Sequence, residues 1–199
     1  MNKIINAIKN NSRDIIKPTA VLLAICIIIP LALSLTNKIT VKKIASLEEE
    51  NSRKAMSNLI KADSFEKLGN KEYYKAVRDG ETVGYIFKTS SKGYGGAVSV
   101  MTAVNPDGTV KAVAILDVSN ETPGLGQNAA KESFYSQYEN KKKGISLIKN
   151  GADGAKNEVD AVTGATITST AVNRAVNEAL DEFEKLSENT DTAEVTDSE

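Results

Sequence analysis

The 199-residue sequence contains no histidine and no tryptophan, and Cys26 is its one cysteine. Without histidine, the chain cannot supply a Ser-His-Asp or Cys-His catalytic site, an imidazole metal ligand or a histidine-ligated haem. A single cysteine also excludes an internal disulfide and a cysteine-ligated iron–sulfur cluster. Demanding chemistry must therefore come from a bound cofactor, from a carboxylate metal site, or from Ser, Thr, Tyr and Lys side chains.

Basic residues are absent from the end of the sequence. The chain has 25 basic and 26 acidic residues, and residues 187–199 hold five acids and no base. A short, polar, uniformly acidic segment cannot bury enough apolar surface to order itself. We therefore expect residues 187–199 to form a disordered acidic tail.

One long run without charge covers residues 18–36, PTAVLLAICIIIPLALSLT. A helix of this length measures roughly 28 Å, close to the hydrocarbon thickness of a bilayer. A cleaved signal peptide and a buried core helix are the alternatives. The run is longer than the apolar part of a usual signal peptide, no A-x-A site follows it, and apolar residues cover every helix face. We expect a retained transmembrane helix.

The basic residues that flank this run give a weak indication of its orientation. Four lie before it and three lie after it: Lys3, Lys9, Arg13 and Lys17, then Lys38, Lys42 and Lys43. By the positive-inside rule, residues 1–17 are expected in the cytoplasm and the residues after the span on the outer side.

The sequence after the span predicts a helical connector and then a folded domain. Apolar residues recur at spacings of three and four over residues 38–68, so we assign residues 37–70 to the connector. From residue 71 the pattern changes to short strands rich in β-branched and aromatic residues. They are expected at 73–78, 82–89, 97–104 and 109–118. Asp79-Gly80 and Asn105–Gly108 are hairpin signals between them, which predicts an antiparallel sheet.

The second half of this domain, which we expect to end near residue 186, mixes helices with short strands. The pattern predicts a helix over 127–138, a strand over 145–149, a turn at 150–154 and a last strand over 159–162. Apolar residues then mark a helix that runs to about Leu186. This order predicts an α+β domain over residues 71–186, without βαβ alternation.

Three glycine-containing segments are candidate ligand contacts. The first is Lys92–Gly96, where Gly93, Gly95 and Gly96 surround Tyr94, and the second is Glu121–Gly126. Either segment is consistent with an ordinary connection or turn. Their glycines would also let the backbone approach a ligand closely, and Tyr94 would offer a flat face.

The third segment, Asp160–Thr166, lies where a strand should turn into a helix. In one interpretation, the segment only caps the helix, and Thr163, Thr166, Thr168 or Ser169 is the cap residue. The same position would suit a phosphate, because free amides and the positive end of the helix dipole attract anions, and Gly164 and Ala165 leave room. These residues alone leave both interpretations open.

A family resemblance favours the second interpretation. Asp160-x-x-Thr163-Gly164-Ala165-Thr166 matches the motif that flavin transferases modify. The apolar span, Lys-Gly-Tyr-Gly-Gly, Glu-Thr-Pro-Gly-Leu-Gly and Thr-Gly-Ala-Thr, in this order, closely resemble the G subunit of the Rnf electron-transport complex. The related C subunit of the sodium-pumping NADH:quinone reductase shares the FMN-binding domain. The resemblance extends from the span to about Leu186.

The resemblance implies covalent FMN, joined by a phosphoester to Thr166. It implies that Asp160 serves recognition by a flavin transferase, and it implies no metal site and no catalytic residue of the chain's own. The remaining cofactor contacts are expected in the three segments: Thr163, Gly164 and Ala165; Glu121, Thr122, Gly124, Leu125 and Gly126; and Gly93, Tyr94, Gly95 and Gly96.

The implied function is electron relay within an ion-translocating ferredoxin:NAD oxidoreductase, which makes the chain one component of a translocase in the cell membrane. Partners would be the other membrane subunits, a flavin transferase during maturation, and lipid, but no nucleic acid. The FMN domain of this single-pass protein would lie on the outer side of the membrane. The alternatives are the FMN-carrying component of a sodium-pumping NADH:quinone reductase and a non-redox membrane-anchored module.

Overall fold

The computed structural model describes residues 12–154 and 156–196. It divides into two compact units, of which the first ends at Glu50 and the second begins at Asn51. Most of the segment expected in the cytoplasm, residues 1–11, lies outside the described residues, as do residues 155 and 197–199.

The first helix, α1, runs from Ser12 to Leu59. Of the helices that the structure describes, it is the one that is long and apolar enough to cross a membrane, judged by length and composition. The apolar side chains of its uncharged run over residues 18–36, such as Leu22 and Leu31, are exposed. Pro18 and Pro30 lie inside it.

The expected continuation of this helix to residue 68 is wrong. The helix ends at Leu59, and Ser64–Lys67 form a strand, β1. The reason is tertiary, because β1 pairs antiparallel with the next strand, Ser64 facing Val77. Pairing with β2 gives the backbone N–H and C=O groups of β1 the hydrogen-bond partners that a helix would have supplied within itself.

Five antiparallel strands form the main sheet in chain order. The other four are β2 (Tyr73–Arg78), β3 (Glu81–Lys92), β4 (Ala97–Val104) and β5 (Val110–Asp117). Asp79 and Gly80 join β2 to β3 with φ of 54° and 82°. Positive φ at both central residues is the geometry of a type I′ hairpin turn. The predicted antiparallel sheet and α+β class are confirmed.

The two faces of the sheet are covered by different helices. Val100 and Val104 of β4 belong to the core that includes Val172 and Val176 of the last helix. Met101, between the two β4 valines, faces the opposite way and packs in a second core with Met56 and Ile60. Alternation along β4 therefore lets one strand contribute to both cores.

The helix expected over residues 127–138 is three short pieces in the structure. A 3₁₀ segment covers Gly126–Ala130, α2 covers Glu132–Tyr135, and a second 3₁₀ turn covers Ser136–Tyr138. Lys131 interrupts them because its backbone is extended, with φ −79° and ψ 140°.

Two short parallel strands precede the last helix. They are β6 (Ser146–Ile148) and β7 (Glu158–Asp160), with Leu147 facing Val159. The last helix, α3, runs from Thr166 to Thr196. It therefore continues beyond the expected end near Leu186 and includes residues 187–196 of the tail that we expected to be disordered. Residues 187–196 contain no proline or glycine that would end a helix already started.

Candidate functional site

Three chain segments meet around one open cleft of about 510 Å³. They are the turn between β3 and β4, the loop after β5, and the first turn of α3. The cleft is lined by Tyr94, Glu121, Thr122, Leu125, Gly126, Gly164, Ala165, Thr166, Ile167 and Thr168. Its volume lies within the range of about 300 to 1,000 Å³ that is usual for small-molecule sites.

The sheet topology brings the first two segments together. The β3–β4 turn follows Lys92 and precedes Ala97. Because β5 runs antiparallel to β4, with Asp117 facing Ser99, the chain leaves β5 at the end of the sheet where β4 begins. The turn that holds Tyr94 and the loop that holds Glu121 are therefore neighbours.

Glu121 joins all three segments. Its side chain is 2% exposed. Its Oε1 accepts a hydrogen bond from the backbone N–H of Gly95 at 2.9 Å, and its Oε2 accepts one from the hydroxyl of Thr168. The β3–β4 turn is itself closed by the N–H of Gly93, which donates to the carbonyl of Gly96 at 2.7 Å.

The hydrogen bonds to Glu121 decide its charge. Burial would raise the pKa of this carboxyl, but the Thr168 hydroxyl and the backbone N–H groups of the Tyr94–Gly96 turn together outweigh burial and hold its pKa below the ordinary glutamate value. Glu121 is therefore an ionised carboxylate at neutral pH.

Close approach explains two of the glycines. A Cβ on Gly95 would lie 1.8 Å from the carbonyl oxygen of Asn120. A Cβ on Gly126 would lie 2.7 Å from Oε2 of Glu121 and 2.8 Å from Oγ1 of Thr168. Both positions need glycine because larger residues would separate the segments that Glu121 joins.

The first turn of α3 leaves its backbone donors available. Ala165 directly precedes the helix, and the side chain of Thr166 is exposed. Among the described residues, the backbone N–H groups of Thr166, Ile167 and Thr168 have no hydrogen-bond acceptor. Free N–H groups at this end of a helix attract anions, so a phosphate on the Thr166 hydroxyl would be stabilised there.

The hydroxyl groups of Thr168 and Ser169, near this turn, make contacts other than those of a simple helix cap. The Thr168 hydroxyl donates to Glu121. The Ser169 hydroxyl donates to the carbonyl of Ala165 at 2.9 Å and accepts the N–H of Val162 at 3.0 Å. Ser169 thus fixes the entry of the chain into α3, and Thr166 is left facing solvent.

The structure brings most of the residues predicted from the sequence to the cleft. Eight of them line it: Tyr94, Glu121, Thr122, Leu125, Gly126, Gly164, Ala165 and Thr166. The others do not line it: Gly93, Gly95, Gly96, Gly124 and Thr163. The three turn glycines adjoin Asn120 and Glu121, which places them behind the wall of the cleft.

Two lining residues, Ile167 and Thr168, were not among the predicted contacts. Ile167 is 55% exposed at the start of α3. In the sequence it looks like the apolar residues that the helix buries in the core, so nothing marked it as a ligand contact. Thr168 is buried, and its partner is Glu121, 47 residues away in the sequence. No local sequence signal identifies such a pair.

Asp160 lies outside the cleft. Its Oδ1 accepts the N–H of Ala152 at 2.9 Å, and its backbone N–H donates to the side chain of Gln137 at 2.9 Å. It lines a separate, smaller cavity of about 280 Å³ together with Lys131. In the folded chain Asp160 therefore holds the loop before β7.

The residues fit a flavin mononucleotide better than a metal ion. Within the described ranges, no group of three or more Asp, Glu or Cys side chains is arranged to hold a metal. The cleft instead combines apolar side chains with a hydroxyl at a helix N-terminus. Apolar side chains suit a planar ring, the helix N-terminus suits its phosphate, and the hydroxyl offers a point of attachment.

Comparison with known proteins agrees with this chemistry. The family model of the FMN-binding domain matches residues 93–181. Over 157 residues the chain is 38% identical to the G subunit of the proton-translocating ferredoxin:NAD⁺ oxidoreductase complex of Clostridium ljungdahlii, covering 78% of this chain and 82% of that protein. It is 32% identical over 189 residues to the G subunit of the Na⁺-translocating complex of Acetobacterium woodii, covering 84% of this chain and 90% of that one.

A solved structure supports the fold. The crystal structure of NqrC from Shewanella oneidensis is 24% identical, covers 60% of this chain and 64% of its own, and aligns with a TM-score of 0.50. At this identity the likeness concerns the architecture of the domain alone.

Proposed function

This chain belongs to the family of G subunits of ion-translocating ferredoxin:NAD⁺ oxidoreductase complexes, and from that membership we propose that it relays electrons through one FMN held covalently on Thr166. It is an FMN-binding electron-transfer component of an oxidoreductase, and the other subunits of the Rnf complex are its partners. What we propose beyond this membership is the covalent bond, the translocase role and the orientation in the membrane.

One observation carries the choice of site. Among the described side chains of residues 51–188, the large hydrophobic ones that remain exposed are Tyr94, Leu125 and Ile167, at 71%, 44% and 55%. All three line the cleft that Thr166 also lines. Exposed apolar groups gathered at one concave site, beside a hydroxyl, favour a bound ring whose phosphate is attached there.

The bond would join Oγ1 of Thr166 to the phosphorus of FMN. A flavin dinucleotide can supply that phosphorus, because its pyrophosphate bond breaks as the phosphoester forms. The second nucleotide leaves, and the hydroxyl proton is released. Thr166 suits this reaction because its side chain is exposed at the first helical position. We assign Asp160, at the start of the matching motif, to recognition by the flavin transferase.

Bound FMN supplies the redox chemistry, and the protein supplies position, electrostatics and shielding. The free N–H groups of the first turn of α3 would hold the phosphate. Tyr94, Leu125 and Ile167 would cover the ring and exclude water from it. The absence of histidine and the position of Cys26 in the apolar run are compatible with this division of work.

The apolar part of α1 anchors the protein in the membrane, where lipid would surround the exposed side chains. We propose a single span with residues 1–17 in the cytoplasm and the FMN domain on the outer side. Covalent attachment suits that location, because a dissociable cofactor would be lost where free flavin is scarce.

The two alternatives are less well supported. The C subunit of the Na⁺-translocating NADH-quinone reductase aligns with less than half of this chain, whereas the Rnf relatives align over most of their own length. A non-redox module would use Thr163–Thr166 only as a helix cap. In the structure, Ala165 precedes the helix and the Thr166 side chain is exposed.

Mass spectrometry of the intact chain, purified with its complex from native membranes, tests the proposal. The wild type should carry the mass of one FMN and give a fluorescent band in a denaturing gel. Thr166→Ala should lose both signals, and Thr166→Ser should retain them. Thr170→Ala is the matched control, since Thr170 is a threonine of the same helix that lies outside the motif and does not line the cleft. Flavin retained by Thr166→Ala would reject the assignment.

A further inference from the structure

The wall of the cleft contains a buried charge whose role the attachment of FMN does not explain. Glu121 is 2% exposed, and it lines the cleft together with Thr166. Glu121 takes part in none of the ion pairs among the described residues. Its hydrogen-bond donors are neutral, namely the Thr168 hydroxyl and backbone N–H groups.

A carboxylate in this setting is costly to bury. Removal of an ion from water is unfavourable unless hydrogen bonds or an opposite charge compensate. Here hydrogen bonds alone compensate, so the negative charge is retained and is not neutralised by a cation. A neutral glutamine could support the same loop with a smaller desolvation cost. The chain nevertheless has glutamate at this position.

We propose that Glu121 is a positioning residue that lowers the reduction potential of the flavin held beside Thr166. The inference rests on the proposed function, because it requires FMN in this cleft. Electrons added to a flavin increase its negative charge, and a fixed anion nearby opposes that increase. The effect is strengthened where the surroundings exclude water.

The same side chain fixes the geometry on which this effect depends. Gly95 and Thr168 are tied to its two oxygens, so the Tyr94 turn and the first turn of α3 hold a constant distance from the charge. Glycines 93 and 126 leave space for it, since a Cβ at either one would lie within 3.0 Å of a Glu121 oxygen. The charge therefore has a fixed place in the wall.

Glu121→Gln separates the electrostatic role from a purely structural one. Glutamine has the same size, and its oxygen can still accept the N–H of Gly95. Its amide can donate to the Thr168 hydroxyl, which is free to donate in turn to a carbonyl one helical turn earlier, as helical threonines commonly do. A merely structural Glu121 predicts an unchanged potential in this variant.

The experiment is a spectroelectrochemical titration of flavin absorbance in the purified, flavin-loaded complex. Glu121→Gln should raise the midpoint potential, so that at a fixed applied potential the ratio of reduced to oxidised flavin rises about tenfold. Glu66→Gln is the control, because Glu66 is an exposed carboxylate on β1 that does not line the cleft. Its potential should equal that of the wild type. An unchanged or lower potential in Glu121→Gln would overturn the inference.

A second pair of variants decides the matter if Glu121→Gln does not load flavin. Thr122 is exposed and lines the cleft next to Glu121. Thr122→Lys would place a cation near the carboxylate without removing its hydrogen bonds, and Thr122→Gln matches its polarity without the charge. A higher potential in the lysine variant alone supports the inference, because it shows that the flavin responds to charge on the Glu121 side of the cleft, and equal potentials refute it. Absence of flavin from the wild type would instead refute the proposed function.

Discussion

The hydroxyl of Thr168 donates a hydrogen bond to Oε2 of Glu121, and both side chains are buried. The pair connects the first turn of α3 to the loop after β5. Because Gly95 donates to the other oxygen of the same carboxylate, one side chain sets the relative positions of three segments. The cleft beside Thr166 depends on this pair.

Loss of the Thr168 hydroxyl should destabilise the folded domain. Thr168→Val keeps the shape of the side chain but leaves the buried carboxylate without one of its donors. We expect the free energy of unfolding to fall by about 1 to 3 kcal/mol. Circular dichroism during denaturation of the purified chain in detergent measures it.

The control for this variant is Thr170→Val. The Thr170 hydroxyl donates to the carbonyl of Thr166 at 2.7 Å, four residues earlier in the same helix. Its loss should change stability by no more than about 0.5 kcal/mol. Equal effects of the two substitutions would show that the bond to Glu121 is not special. Thr168→Ser, which keeps the hydroxyl, should lie near the wild type.

The ionisation of Glu121 should make stability depend on pH. Burial would raise its pKa, but the hydrogen bonds outweigh burial and lower the pKa in the folded state. The carboxylate therefore contributes stability above the unfolded pKa, about 4.3, and that contribution is lost as pH falls through the lower folded value. Below about pH 5, the wild type should lose stability more steeply than Glu121→Gln.

Denaturation curves between about pH 3 and 7 provide this comparison. Glu182 also has a lowered pKa, chiefly because the Lys71 ammonium donates a hydrogen bond to it. Its contribution is common to both proteins and cancels when the two slopes are subtracted. Parallel slopes for the wild type and Glu121→Gln would contradict a pKa of Glu121 that is lowered in the folded state.

Local signals in the sequence were sufficient for much of the fold. Asp79-Gly80 predicts a tight hairpin because both residues tolerate positive φ, and the structure has positive φ at both. The alternation of Val98 and Val100 with polar or opposite-facing neighbours predicts β4. These elements depend on residues that are adjacent or two apart, and such spacings can be read directly.

The remaining features depend on distant residues. Ser64–Lys67 is a strand because β2 lies beside it, and the helix predicted over 127–138 breaks at Lys131. The convergence of the three glycine-containing segments could be predicted, since each was a plausible ligand contact. The role of Glu121 as their common hydrogen-bond acceptor could not, because its partners lie 26 and 47 residues away.

Gly126→Ala should disturb the cleft more than its small change in size suggests. The added methyl would lie 2.7 Å from Oε2 of Glu121 and 2.8 Å from Oγ1 of Thr168, so one of the two must move. We expect a loss of about 1 to 3 kcal/mol in stability and a lower fraction of flavin-loaded chains. Intact mass spectrometry gives the loaded fraction.

Gly154→Ala is the matched control. A Cβ at Gly154 would meet nothing within 4 Å, and its φ is not in the left-handed region. Stability and flavin loading should both stay close to the wild type. If the two alanine variants load flavin equally well and are equally stable, the close packing at Gly126 has no functional consequence.

The orientation of the domain is the last prediction, and the sequence alone decides it weakly because four bases precede the span and three follow it. Cys26 is the one native cysteine, so Cys26→Ser gives a background in which a single introduced thiol can be labelled. Lys149→Cys places that thiol on an exposed residue of the FMN domain, and Asn2→Cys places it before the span.

A maleimide that cannot cross membranes should label Lys149→Cys in cells whose inner membrane is intact and exposed. Asn2→Cys should react only after the membrane is permeabilised. The opposite pattern would place the domain in the cytoplasm, and Thr166 would then have to receive its flavin there.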